Sequence, residues 1–165
     1  MLERLYEQRL PVQAVLEDEA VTKPAVRKAL TVKASQWEVI RQLLPVLRPL
    51  AKATTIMCGE MHVGLSFILP VIHNLVDGML QVDRSDGTAT RNFKNTVRGQ
   101  LRTRFKLDSE EDTLAESVPV IACALDPRFK DLRFLPEDTR AGVRSHLIKL
   151  LRDGETERAA AIQMT

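Results

Sequence analysis

Aromatic residues, cysteines and long apolar runs are all scarce in this chain. Phe, Trp and Tyr make up 4% of the 165 residues, so Leu, Val, Ile and Ala must build any core. The two cysteines are too few for a disulfide framework and are typical of a reducing compartment. The longest apolar stretch, around residues 65–76, is interrupted by polar residues and is too short to span a bilayer. We therefore expect no membrane partner.

An excess of charge of one sign is also lacking. Lys and Arg total 24 against 22 Asp and Glu, which gives a net charge of +2. This balance does not indicate nucleic acid as a partner, so only a local concentration of charge could do so. Apolar residues at 44% and charged residues at 28% are typical of a globular protein. The length predicts a single domain over residues 1–165, and the charged N-terminus does not resemble a secretory signal.

The apolar residues recur at spacings of three and four, which is the pattern of an α-helix that buries one face. We therefore predict an all-α multi-helix bundle. The expected helices cover residues 2–16, 35–57, 63–82, 88–106, 113–125 and 136–154. Pro45, Pro49 and Pro70 should bend their helices, Pro119 should break one, and Gly154 should end the last. Residues 117–124 show an imperfect strand alternation, and we favour a helix there.

Residue patterns that carry catalysis are lacking as well. The chain has no Gly-x-Ser-x-Gly elbow and no glycine-rich phosphate loop. Cys58 and His62 are four residues apart and could share a helix face, with His73 further along. A structural zinc site needs four ligands in paired short spacings, which this sequence does not supply. We predict no catalytic residue, no metal site and no enzymatic activity.

The helix predicted over residues 88–106 carries the strongest candidate for a binding surface. Its charged residues are all Lys or Arg, and a basic helix face can lie along a phosphate backbone. One stripe on this helix consists of Arg91, Lys94, Arg98 and Arg102. A second stripe, expected to face the core, consists of Phe93, Val97, Leu101 and Phe105. Two alternatives to DNA binding are a solvated face whose charge is offset by the acids of residues 108–116, and a surface for a protein partner.

Two further features point to structural roles. Trp37, the only tryptophan, lies on the apolar side of its predicted helix and should pack in the core. Asp126 precedes Pro127, and a residue before proline is driven out of the helical region, so the helix there should end at about Leu125. The acids of residues 110–112 should cap the helix that follows them.

Several segments together resemble, in the right order, the C-terminal part of hAT-superfamily transposases and their domesticated descendants, the BED-type zinc finger proteins. The opening residues 1–15 are similar to the helix that follows the family's Arg-Trp-Asn-Ser element. Residues 37–55, with Trp37 and Leu47-Arg48-Pro49-Leu50, are similar to its "Trp … Leu-Lys-Pro-Phe … Ala-Thr" helix. Residues 65–72 resemble its "Leu-Ser … Leu-Pro-Val-Ile" helix, and Leu125-Asp126-Pro127-Arg128-Phe129-Lys130 resembles its Leu-Asp-Pro-Arg-Phe-Lys signature.

The resemblance implies that the chain is the helical insertion of an RNase H-like transposase region. It implies a fragment that begins after the first two catalytic aspartates and stops before the final glutamate. The BED finger and the C-terminal dimerisation segment would lie outside it. Zinc is then expected only in the finger of the parent protein, and no cofactor in this part. The parent would be a nuclear protein, with the cytoplasm as an alternative location. It would bind DNA, regulate transcription, engage protein partners and in some cases form a homodimer. The competing hypothesis is a helical protein–protein interaction module without nucleic-acid contact.

Overall fold

The computed structural model describes residues 1–59 and 64–163, without the side chains of 111–112 and 157–163. Within these ranges every regular element is a helix, so the all-α prediction is confirmed. The α-helices are α1 (Leu2–Glu7), α2 (Arg9–Glu17), α3 (Pro24–Leu30), α4 (Ala34–Met57), α5 (Ile68–His73), α6 (Thr88–Arg104), α7 (Glu111–Ala115), α8 (Val118–Leu125) and α9 (Glu137–Gln163). A 3-10 helix, Leu65–Phe67, precedes α5, and a π-helix, Asn74–Met79, follows it.

The long helix α4 passes through both Pro45 and Pro49. Each proline lacks the N–H that would reach the carbonyl four residues earlier, so the carbonyls of Arg41 and Pro45 lose their helical partners. Trp37, near the start of α4, is buried, as expected, and its ring lies 6.3 Å from that of Tyr6. This contact packs α1 against α4.

Two apolar clusters hold the helices together. The first joins α5, α7, α8 and α9 with the corner between α8 and α9, through the buried residues Leu69, Leu114, Ala115, Val120, Cys123, Leu132, Leu135 and Val143. The second joins α4, α5, the π-helix and α6, with the buried residues Val46, Ala53, Ile72, Leu75, Val76 and Leu80. The predicted apolar stripe of α6 packs against the second cluster, through Phe93, Val97, Leu101 and Phe105. Leu107, just after α6, contacts both clusters.

Several helix boundaries agree with the sequence. α8 covers the segment with imperfect strand alternation and ends at Leu125, because Asp126 is extended before Pro127. The start of α9 at Glu137, with Asp138 beside it, agrees with the acids expected at a helix N-terminus.

Other boundaries were predicted wrongly. Gly154 does not end α9, which continues to Gln163, because the residues that follow are mostly strong helix formers and no described glycine has a positive φ. The break expected at Pro119 is present but lies at residues 116–117, because Pro119 is in the first turn of α8, where its missing N–H costs nothing. In place of the single helix expected over residues 63–82, the chain forms the 3-10 helix, α5 and the π-helix in succession. α3 was not predicted, although Pro24 at its first position was the signal for it.

Candidate functional surfaces

The four basic residues of α6 do not form one exposed cationic stripe. Lys94 is buried, with 7% of its surface exposed, and its ammonium donates to Asp86 Oδ2 at 2.7 Å and to the Gln81 carbonyl at 3.0 Å. This bond is the main reason that the pKa of Asp86 is lowered, with a second bond from the Asp83 backbone N–H adding to it. Lys94 therefore ties the start of α6 to the turn that precedes it.

Two of the three arginines of the stripe, Arg98 and Arg102, face acids from other parts of the chain. Arg102 donates two bonds to Asp108 Oδ1, at 2.6 and 3.0 Å, and its Nη1 lies 3.5 Å from Asp77 Oδ1. The Arg102 bond lowers the pKa of Asp108, and the Asp108 carboxylate raises the pKa of Arg102. Arg98 lies 4.0 Å from the same Asp77 oxygen. Much of the charge at this end of the helix is thus neutralised.

Arg91 differs from the other three because it is exposed and the only described hydrogen bond of its side chain is to a main-chain carbonyl. Its Nη2 donates to the Asp86 main-chain oxygen at 3.3 Å. Arg91 is therefore the member of the stripe with free positive surface. Arg98 is held less tightly than Arg102, because its ion pair with Asp77 is long and it pairs with no second acid among the described side chains. The sequence missed the roles of Asp77 and Asp86, because they lie outside the basic helix. No helical spacing links Asp86, which precedes α6, to Lys94 eight residues later, so the sequence held no local signal for this pair.

A group of polar and aromatic side chains, separate from the two apolar clusters, forms where the 3-10 helix meets the corner after α8. The buried Ser66 donates to Asp126 Oδ2 at 2.6 Å, and the Cys123 thiol donates to the Ser66 carbonyl at 3.0 Å. Arg128 donates its backbone N–H and its guanidinium to Asp126, at 2.7 to 3.0 Å. The Arg128 bonds are the largest cause of a strongly lowered Asp126 pKa, followed by the Ser66 hydroxyl.

Aromatic rings cover the other side of this corner. The Arg128 guanidinium lies over the Phe67 ring, 4.3 Å from its centre, which is the geometry of a cation–π contact. The Phe67 and Phe129 rings meet edge to face, with their centres 5.1 Å apart. We call the residues Ser66, Phe67, Asp126, Arg128 and Phe129 the corner cluster. It joins chain segments about sixty residues apart in the sequence.

An open apolar groove of about 380 Å³ lies between α4 and the segment formed by α5 and the π-helix. Its lining includes Pro49, Ala53 and Ile56 from α4 and Pro70 and Val71 from α5. Among the described residues of that lining, only Lys52 is charged. This surface can take an apolar segment of a partner.

Metal-binding residues are not brought together in the described part of the chain. No group of three or more His, Cys, Asp or Glu side chains there is placed to hold an ion. Cys58 is exposed and Cys123 is buried, while His62, which could have shared a helix face with Cys58, lies outside the described residues. In the described ranges we also found no helix with the length and hydropathy needed to cross a bilayer.

Comparisons of the chain with protein-family models, curated proteins and solved structures found no match.

Proposed function

We propose that this chain is a non-catalytic helical domain of a DNA-binding, transcription-regulating protein derived from an hAT-superfamily transposase and carrying a BED zinc finger elsewhere. In this proposal the domain is the helical insertion of the RNase H-like region. It acts in the nucleus as a rigid support that makes auxiliary contacts with DNA. It performs no chemistry itself, because its sequence offers no nucleophile with an orienting base and no phosphate-binding glycine loop.

The corner cluster is the observation that supports this proposal most directly. Two of the segments that resemble the transposase family contribute to it: residues 65–72 supply Ser66 and Phe67, and residues 125–130 supply Asp126, Arg128 and Phe129. The two segments share a part-buried hydrogen bond, a cation–π contact and an edge-to-face ring contact. Their convergence gives the motif residues a common structural role.

Arg91 and Arg98 are the residues that we propose for the auxiliary DNA contact. Lys94 supports the helix from within, and Arg102 is held by Asp77 and Asp108. Each phosphate that a protein cation neutralises releases counterions, so binding through two arginines should weaken as salt rises. The slope of log K against log salt should change by about 0.9 for each phosphate that a variant no longer neutralises.

The test compares two double charge reversals by fluorescence anisotropy on a labelled DNA duplex. Arg91→Glu with Arg98→Glu removes the proposed contact, while Arg144→Glu with Lys149→Glu makes the same charge change on the exposed surface of α9. We expect the first variant to lose binding and the second to keep it with a similar salt slope. Equal losses in both variants, or no binding by the unaltered protein at low salt, would contradict the DNA contact.

The second candidate function is a helical protein-interaction module without nucleic-acid contact. The neutralised end of the α6 stripe and the apolar groove favour it. Ile56→Glu in the groove should then abolish the capture of a partner at high salt, while Leu151→Glu, on exposed α9 surface, should not. Equal capture by both variants, or no capture at high salt by the unaltered protein, would contradict the module, and DNA binding with a steep salt dependence would favour the first proposal.

A further inference from the structure

Ser109 lies in the short connection between α6 and α7, outside both helices. Its backbone N–H donates to the Lys106 carbonyl at 3.1 Å, and its side chain is partly exposed. In the sequence it is followed at once by Glu110, Glu111 and Asp112. No other serine or threonine of the chain is followed by three acids.

We propose that Ser109 is a phosphorylation site for an acid-directed serine/threonine kinase, and that Arg104 and Lys106 bind the phosphate. Such kinases bind their substrates in a positively charged groove. Acids directly after the serine are attracted to this groove and place the serine in position for the reaction. In the reaction the Ser109 hydroxyl oxygen attacks the γ-phosphorus of Mg·ATP. The bond from that phosphorus to the β-phosphate oxygen breaks, ADP leaves, and a carboxylate base of the kinase takes the hydroxyl proton.

The surroundings of Ser109 supply cations for the phosphate. Arg104, Lys106 and Ser109 line one cavity of about 400 Å³, together with apolar residues such as Leu69 and Phe105. None of the ion pairs among the described side chains uses Arg104 or Lys106. A phosphoserine carries about −1.5 to −2 charges near neutral pH and accepts charge-assisted hydrogen bonds from such residues.

The two cations are needed because of where the phosphate would lie. α6 ends at Arg104, and the carboxyl end of a helix carries a partial negative charge that opposes an added anion. Lys106, which follows with a φ of 52°, and Arg104 lie at this end and offset that repulsion. Phosphorylation would thus add negative charge beside Arg104 and Lys106, whether or not α6 contacts DNA.

The first experiment treats the whole chain with casein kinase II and ATP and locates the phosphate by mass spectrometry. We expect phosphate on Ser109 and its loss in Ser109→Ala. Ser35 is the matched control, because it has an acid only at its third following position, Glu38, and lies in the first turn of α4. Ser35→Ala should leave the incorporation unchanged. Absence of phosphate at Ser109, or equal labelling of Ser35, would overturn the proposal.

The second experiment tests the phosphate-binding residues by ³¹P NMR titration of the phosphorylated protein. Hydrogen bonds from Arg104 and Lys106 stabilise the doubly ionised phosphate of phosphorylated Ser109. The second pKa of this phosphate should therefore be lower in the unaltered protein than in the Arg104→Gln, Lys106→Gln variant, by about 0.5 to 1 unit. Arg144→Gln with Lys149→Gln, which makes the same charge change on α9, should not reproduce that difference. Equal phosphate pKa values in all three proteins would show that Arg104 and Lys106 do not bind the phosphate.

Discussion

Asp86 and Lys94 form an ion pair of 2.7 Å in which only 12% and 9% of the side chains are exposed. The Gln81 carbonyl accepts a further bond from the same ammonium. A positive residue in a basic helix thus serves to fix the turn before that helix. The charge of Lys94, which the sequence pattern assigned to a binding surface, therefore has a structural role in the fold.

Lys94→Met should destabilise the protein by about 3 kcal/mol, because it leaves the Asp86 carboxylate largely buried without its partner. Arg91→Ala, on exposed surface of the same helix, should change the free energy of unfolding by about 0.5 kcal/mol or less. Urea denaturation checks both. The double variant Asp86→Asn, Lys94→Met should lose less than the sum of its single changes, and strict additivity would contradict the coupling.

The Asp86–Lys94 pair is also a part of the basic surface that could not be predicted from the sequence. The three- and four-residue spacing correctly placed Phe93, Val97 and Leu101 toward the core. It could not show that Lys94 is buried as well. Periodicity reports which face a residue occupies but not which acid another segment brings to it. Asp77, which faces Arg98 and Arg102, comes from the π-helix, a geometry that the sequence pattern did not indicate.

The fold itself was more predictable than the surface. The helix end at Leu125 followed from Pro127 alone, since the restriction on the residue before proline is local. Gly154 was misjudged because a glycine can end a helix or lie within it, and the choice depends on the residues that follow. The hydrogen bond from Ser66 to Asp126 spans 60 residues, and no local rule could have predicted it.

The corner cluster should make stability depend on pH through Asp126. Arg128 and then Ser66 hold the pKa of its carboxyl well below its usual value, so the folded protein releases this proton more readily than the unfolded chain. The resulting stabilisation is present above the unfolded pKa of about 3.9 and is lost as the pH falls below it. Urea midpoints of the unaltered protein and of Asp126→Asn should differ most near neutral pH, and the difference should shrink progressively as the pH falls below about 4 toward the lowered pKa of the folded state. A constant difference across this range would exclude the linkage.

The two cysteines should differ strongly in reactivity. Burial, with the nearby Asp126 charge adding to it, raises the pKa of Cys123 to about 11, and its thiol is bonded to the Ser66 carbonyl. Cys58 is exposed. A maleimide reagent at neutral pH should therefore label one site rapidly, at Cys58, and reach Cys123 only in denaturant, as mass spectrometry can show. Rapid labelling of a Cys58→Ser variant would contradict the buried position of Cys123.

Gly99→Ala should stabilise the protein by about 0.5 to 1 kcal/mol, because Gly99 lies inside α6 and an added Cβ would meet no atom within 4 Å. Gly87 offers the matched comparison at the N-cap of the same helix. A Cβ there would come within 2.3 Å of Gln42 Oε1, and alanine is a poorer N-cap than glycine. Gly87→Ala should therefore destabilise the protein. Thermal unfolding distinguishes the two, and a shift of both melting temperatures in one direction would contradict this assignment.

Leu107 has a consequence for how the molecule melts. This single side chain borders both apolar clusters, and it lies in the short connection that also carries Ser109. A change in the conformation of that connection would move Leu107 and so remove the packing by which it links the two apolar clusters. The number of transitions in thermal unfolding, one or two, should therefore depend on how firmly the connection between α6 and α7 is held.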